Sequence, residues 1–97
     1  MTTVIFSHGK DSEPWGAKIT AMAQVARRRG LAVESVDYRG MDDPLARVQK
    51  LLAFCGTITG DLVLVGSSMG GHVSAAVSAH VPVRGMFLLA PAFFMRG

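Results

Sequence analysis

The amino-acid sequence predicts an α/β fold: a parallel sheet of about four strands with helices on both faces. Three observations carry this expectation. Short apolar runs alternate with longer amphipathic stretches from end to end. Two of the runs, Leu62–Val65 and Met86–Ala90, are unbroken in hydrophobicity, as in strands covered on both sides. Each junction between runs carries turn or cap residues.

Taken in order, Thr3 to Phe6 is a β-rich run that ends at Ser7-His8-Gly9. Ser12 is placed to cap a helix whose first turn tolerates Pro14. Trp15, Ile19, Met22, Ala23 and Ala26 share one face of that helix, and Asp11 and Glu13 suit its start. Arg27, Arg28 and Arg29 fall in its last turn, where cations oppose the helix dipole, and Gly30 stops it. Leu31 to Asp37 is a second strand, interrupted by Glu34 and Ser35 and so suited to a sheet edge. Asp37-Tyr38-Arg39-Gly40 is a loop. Asp42 or Asp43 caps a second helix, with Pro44 in its first turn, Leu45, Val48 and Leu52 on one face, and Gly56 after it. Cys55 belongs to the apolar side of that helix. The third strand, Leu62–Val65, leads into a helix from Met69 to about Ala79 that turns Val73, Ala76 and Val77 inward. Met86 to Ala90 is the fourth strand.

Composition sets the outer limits. With 97 residues, 49% hydrophobic and 18% charged, the chain makes a single domain with a core and is not disordered. One cysteine excludes an internal disulfide framework and a thiolate zinc site, and no metal or cofactor is expected. The net charge of +3 is a mild excess. The arginine triplet is accounted for by the helix dipole, so neither nucleic acid nor membrane is an expected partner. No bilayer-spanning run and no secretion signal is visible, and a cytoplasmic location is expected.

The most specific motif is Gly66-Ser67-Ser68-Met69-Gly70-Gly71 between the third strand and the third helix. It fits G-x-S-x-G in one register, with Gly66, Ser68 and Gly70 at the fixed positions; Ser67 fails because Val65 stands where a glycine is needed. On such a strand–turn–helix the serine hydroxyl is lifted beyond the end of the sheet, and the free amides of the helix face charge developing on a substrate. The competing reading of the same residues is a tightly packed glycine turn with an ordinary capping serine. A second motif, Ser7-His8-Gly9-Lys10, follows the first strand directly.

With these residues the chain resembles the α/β-hydrolase superfamily over its whole length. The resemblance implies Ser68 as nucleophile, an elbow shaped by Gly66, Gly70 and Gly71, and an oxyanion hole made by the backbone amides of Lys10 and Met69. His8 and Gly9 would shape the oxyanion loop. Asp37-Tyr38-Arg39-Gly40 looks like the family's Asp-x-Arg-Gly turn, and Leu89-Ala90-Pro91 like the end of the strand after the nucleophile helix. The implied strand order is 2-1-3-4.

The resemblance breaks after Ser68. A serine nucleophile needs a base and usually an acid to orient it, in this superfamily drawn from later segments in the order acid, then histidine. No Asp or Glu follows Ser68. His72 lies in the body of the third helix and His80 near its end, and neither occupies the family's position for the base. The strand at 86–90 is also an apolar edge without a partner, which natural domains avoid. Both absences point to one missing segment, so the expectation is a front half cut after that strand and inactive by itself. The expected function is a serine hydrolase of carboxylesterase or thioesterase type, acting on a small-molecule ester, thioester or amide through an acyl-enzyme. The open edge at 86–90 would pair with the missing half or a second chain. The alternative is a non-catalytic binding or interaction module that uses the helix N-terminus at Gly70-Gly71.

Overall fold

The computed structural model describes residues 1–89. Strands and helices alternate as β1 (Thr2–Ser7), α1 (Ala17–Arg28), β2 (Ala32–Val36), α2 (Pro44–Cys55), β3 (Asp61–Ser67), α3 (Met69–Ser78) and β4 (Gly85–Leu89). The strands form one sheet in the order β2-β1-β3-β4, and every pairing is parallel. This is the expected order, with the Glu34-bearing strand at an edge. Ala90 and Pro91 lie outside the described residues.

Period-two alternation divides the core. Val4, Phe6 and Val65 face α1 and pack on Ile19, Ala23 and Ala26. Ile5, Leu62 and Leu64 face the other way and pack on Leu51 and Cys55 of α2 and on Met69, Val73 and Val77 of α3. Helices therefore cover both faces, as right-handed crossovers running in opposite directions from β1 and β3 require. Among the described residues, no helix is long and apolar enough to cross a membrane.

Three helix details differ from expectation. α1 starts at Ala17 with Gly16 as its N-cap, its first turn holds no acidic residue, and Ser12 is not a cap. A residue before proline avoids the helical region, so Glu13 cannot begin a helix that runs on through Pro14. Two successive turns fill the segment, closed by Ser12 N–H to Gly9 O (3.3 Å) and Gly16 N–H to Glu13 O (3.4 Å). Trp15 is consequently outside the core, 43% exposed, with the Arg27 guanidinium 5.5 Å from its ring. α2 has the expected Asp43 cap, bonded to the Leu45 N–H at 3.1 Å. Its buried stripe, however, is Arg47, Leu51 and Cys55; Leu45 is 62% exposed while Val48 and Leu52 are half-buried. In α3 the small residues Gly70, Gly71 and Ser74 are buried with Val73 and Val77, and Ala76 is half-buried.

The end of α1 is a Schellman motif. Leu31 N–H reaches back to Ala26 O (3.1 Å) and Gly30 N–H to Arg27 O (3.0 Å), with Gly30 at φ +79°. Nothing lies within 4 Å of where a Gly30 Cβ would sit. Gly30→Ala should therefore cost about 1 kcal/mol from backbone strain alone, read as a lower urea midpoint with an unchanged slope.

On the α1 side, the helix leaves the β3–β4 part of the sheet open. An apolar groove of about 530 Å³ runs there, between Met22 and Val25 of α1 and Val63, Val65, Phe87 and Leu89 of the sheet. Phe87 is 62% exposed, so β4 departs from the expectation of cover on both faces.

Candidate active site

The chain leaves β1 for β2 on one side and continues from β3 to β4 on the other, so the crossover direction switches between β1 and β3. A crevice opens at the carboxyl ends of two such strands, where α/β proteins place their ligands. The register aligns those ends, pairing Ser7 of β1 with Gly66 of β3. The two sequence motifs follow immediately and meet there.

Ser68 joins β3 to α3 with φ +55° and ψ −121°, a conformation that a residue with a side chain rarely adopts. Its N–H donates to Leu89 O of β4 (2.9 Å), and its carbonyl accepts the Gly71 N–H (2.9 Å). The side chain makes no capping hydrogen bond and the residue is exposed, although Gly66, Met69 and Gly70 around it are buried. The capping-serine reading therefore fails, and among the described residues the exposed hydroxyl has no hydrogen-bond partner at the tip of the turn.

The glycines of the motif are explained by contact. A Cβ on Gly66 would sit 2.2 Å from Gly70 O, and one on Gly70 would sit 1.9 Å from Ser7 O. The first turn of α3 thus rests on the end of β1. Gly71 is buried in the same turn. Gly9 faces the serine: its Cβ would come 3.1 Å from Ser68 Cβ and 3.6 Å from Ser68 Oγ. Met69 is the first residue of α3, where an N–H has no acceptor within the helix.

The loop after β1 is held from below. His8 is 1% exposed, and its Nε2 accepts the Tyr38 N–H at 2.8 Å. That nitrogen carries no proton, so Nδ1 carries it and donates to Gly9 O at 2.8 Å. His8 is thus a neutral histidine with both nitrogens engaged. Asp37 Oδ1 lies 4.0 Å from Nε2, but the Arg39 side chain and N–H bind this carboxylate and hold it well below the usual range. Beneath the loop, Arg47 is 1% exposed and donates from Nη1 to His8 O (2.9 Å) and from Nε to Met41 O (2.7 Å). Its guanidinium lies 5.0 Å from the Tyr38 ring, and Tyr38 Oη shares a hydrogen bond with Ser7 Oγ (2.7 Å). Burial pushes the Tyr38 phenol up to about 12, so it stays protonated.

The alpha/beta hydrolase family model matches residues 4–97. The chain belongs to the alpha/beta hydrolase family. A solved structure of an alpha/beta superfamily protein from Xanthomonas campestris pv. campestris is similar, with a TM-score of 0.86 and 38% identity over 92% of this chain. This chain spans 58% of that protein's length. No curated protein matches it.

In this member of the family the structure brings together Ser68, Gly66, Gly70, His8 and Gly9. Lys10 is exposed in the turn from Gly9 to Ser12. A recess of about 220 Å³ and mixed polarity opens beside them, with His8, Gly9, Ser12, Ile19 and Ser67 among its lining residues. His72 is half-buried in the body of α3, and His80 is exposed beyond its end. No cluster of three potential metal ligands occurs among the described residues. Sequence reasoning missed Arg47 and the polar contacts of Ser7 and Tyr38. A signal for Arg47 existed, since 47, 51 and 55 recur every fourth position and share a helical stripe.

Two consequences are measurable. Gly70→Ala must displace a backbone carbonyl, and we expect a loss of about 3 kcal/mol in urea denaturation. Burial above all, and then the neighbouring Arg47 charge, holds the His8 pKa below 6.5. An unfolded His8 takes up a proton near pH 6.5 while the folded one resists it, so this contribution is complete above that pH and is lost on acidification. Stability should fall from pH 7 to pH 5 by no more than about 1.4 kcal/mol per pH unit from this residue. Imidazole NMR of His8 in the folded state checks the origin.

Proposed function

We propose that the chain carries the nucleophile of a serine hydrolase that acts on an ester, thioester or amide carbonyl through an acyl-enzyme. The observation that supports this most directly is Ser68 itself: exposed, uncapped, held at positive φ and facing Gly9. In this reading Ser68 Oγ attacks the carbonyl carbon and its proton passes to a base. The Met69 and Lys10 amides receive the negative charge that forms on the carbonyl oxygen. Collapse of the tetrahedral adduct breaks the bond to the leaving group, which departs with the proton, and water then releases the acid from Ser68. The reaction calls for no cofactor.

The base and the acid come, in this proposal, from a segment outside this chain that also pairs with the edge of β4. No carboxylate follows Ser68 in the sequence, and both ring nitrogens of His8 are committed to the backbone. The 97-residue chain by itself should then turn over substrate negligibly. Intact-mass analysis with a fluorophosphonate probe tests this. We expect slow formation of one adduct, acceleration by added imidazole as an external base, and no adduct on Ser68→Ala. An adduct that persists in Ser68→Ala, or no adduct even with imidazole, would defeat the proposal and favour a binding module.

A further inference from the structure

We propose that Arg47 is a positioning residue for the oxyanion loop: by gripping the His8 carbonyl from α2, it sets the orientation of the peptide that presents the Lys10 amide to Ser68. The inference rests on the reading of Ser68 as the nucleophile. It starts from an anomaly in α2, whose buried stripe holds a guanidinium where the pattern calls for an aliphatic side chain. Removing an arginine from water is costly unless its charge and donors are met. Among the described residues no carboxylate bonds to Arg47; Asp42 and Asp11 act on it only at a distance, and its hydrogen bonds from Nε and Nη1 go to backbone carbonyls. A packing role would be filled better by leucine or methionine. What arginine adds is two directed donors on a rigid plane.

Those donors reach the same two loops that the Tyr38 N–H to His8 Nε2 bond joins, and add a grip on the backbone of each. Nε holds Met41 O in the β2–α2 loop, and Nη1 holds His8 O at the first peptide after β1. With that peptide fixed, the His8 ring lies between the Tyr38 N–H and Gly9 O. A trans peptide points its C=O and N–H in opposite directions. Since Gly9 O is turned to the His8 ring, the Lys10 N–H is turned away from it. The chain of contacts therefore runs from Arg47 through His8 to the Gly9–Lys10 peptide, and Gly9 is the residue against Ser68. The Arg47 charge also disfavours protonation of His8, which would end its acceptance of the Tyr38 N–H. Other charged groups near the imidazole are Asp37, which favours the proton, and Arg39, which opposes it.

The test uses Arg47→Met and Arg47→Lys in the 97-residue chain, with imidazole-assisted fluorophosphonate labelling and NMR of the Lys10 amide and the His8 ring. In Arg47→Met we expect the covalent step to slow about 100-fold, the scale of a small misplacement of a reacting group, with reversible probe affinity unchanged. The Lys10 amide signal should shift and His8 should titrate closer to its free value. Arg47→Lys keeps the charge and one donor, and should lie between, with His8 still resisting protonation. Labelling equal to wild type in a folded Arg47→Met overturns the inference, as does slowed labelling with the Lys10 and His8 signals unmoved. If Arg47→Met does not fold, Arg47→Lys decides, and a wild-type rate there overturns it. A wild-type chain that takes no adduct defeats the reading of Ser68 alone, and movement of the Lys10 amide still decides whether Arg47 orients the loop.

Discussion

The site depends on one close approach of backbone to backbone, where the first turn of α3 rests on the end of β1. At Gly70 a Cβ would fall 1.9 Å from the Ser7 carbonyl oxygen, and at Gly66 it would fall 2.2 Å from the carbonyl of Gly70. Both contacts exist because neither residue has a side chain. They pull the start of α3 onto the strand beside β3, which forces the intervening residue, Ser68, into positive φ. The same approach brings Gly9 against the serine. Strain of this kind persists only where the surroundings over-determine it. Here they do so through the Leu89 carbonyl on one side and the first turn of α3 on the other.

Beneath that contact lies a buried polar cluster that joins three segments remote in sequence. Ser7 ends β1 and His8 follows it, Tyr38 comes from the loop after β2, and Arg47 from α2. In a low-dielectric interior such a cluster is stabilising only when its members are satisfied. Each of these four is bonded: hydroxyl to phenol, ring nitrogens to backbone, guanidinium to two carbonyls. The assignment of His8 follows from this completeness. Its place next to the serine invites the role of base, but a histidine whose two nitrogens are already engaged, and whose burial opposes charge, is held as structure.

Much of this was legible in the sequence, for physical reasons that can be named. The continuous apolar run at β3 and the polar break at Glu34 carry a covered strand and a sheet edge, because burial on two faces selects one composition and an edge another. The order of the strands comes from the resemblance to the α/β-hydrolase superfamily, and the equally apolar β4 is an edge in the described sheet. The sharp turn around Ser68 was legible because Gly66 and Gly70 are demanded by backbone contacts that leave no room for a side chain. The start of α1 was misjudged because Ser12 offers a plausible cap, while the restriction that Pro14 places on Glu13 is the stronger effect. The buried face of α2 was misjudged because an apolar count favours Leu45, Val48 and Leu52. Arg47 shares a stripe with Leu51 and Cys55, but its charge hides it from an apolar count, and the carbonyls that meet it come from the loop before α2 and from the remote loop after β1.

The geometry of the turn at Ser68 is tied to the least covered strand among those described. The Ser68 N–H bonds to Leu89 at the end of β4, an edge strand in the described sheet. The face of β4 towards α1 leaves Phe87 62% exposed and borders the apolar groove. β1, which leads directly into His8 and Gly9, is by contrast paired on both sides and buried from Thr3 to Ser7. Local opening is cheapest where apolar burial and pairing are fewest, so the two halves of the site are unequally anchored. The loop after β1 is held by a central strand and a satisfied polar cluster, and Ser68 partly by an edge. Any element that pairs with β4 or fills the groove beside it stabilises the acceptor of the Ser68 N–H. Cover for β4 and precision of the turn at Ser68 are in this way one physical problem.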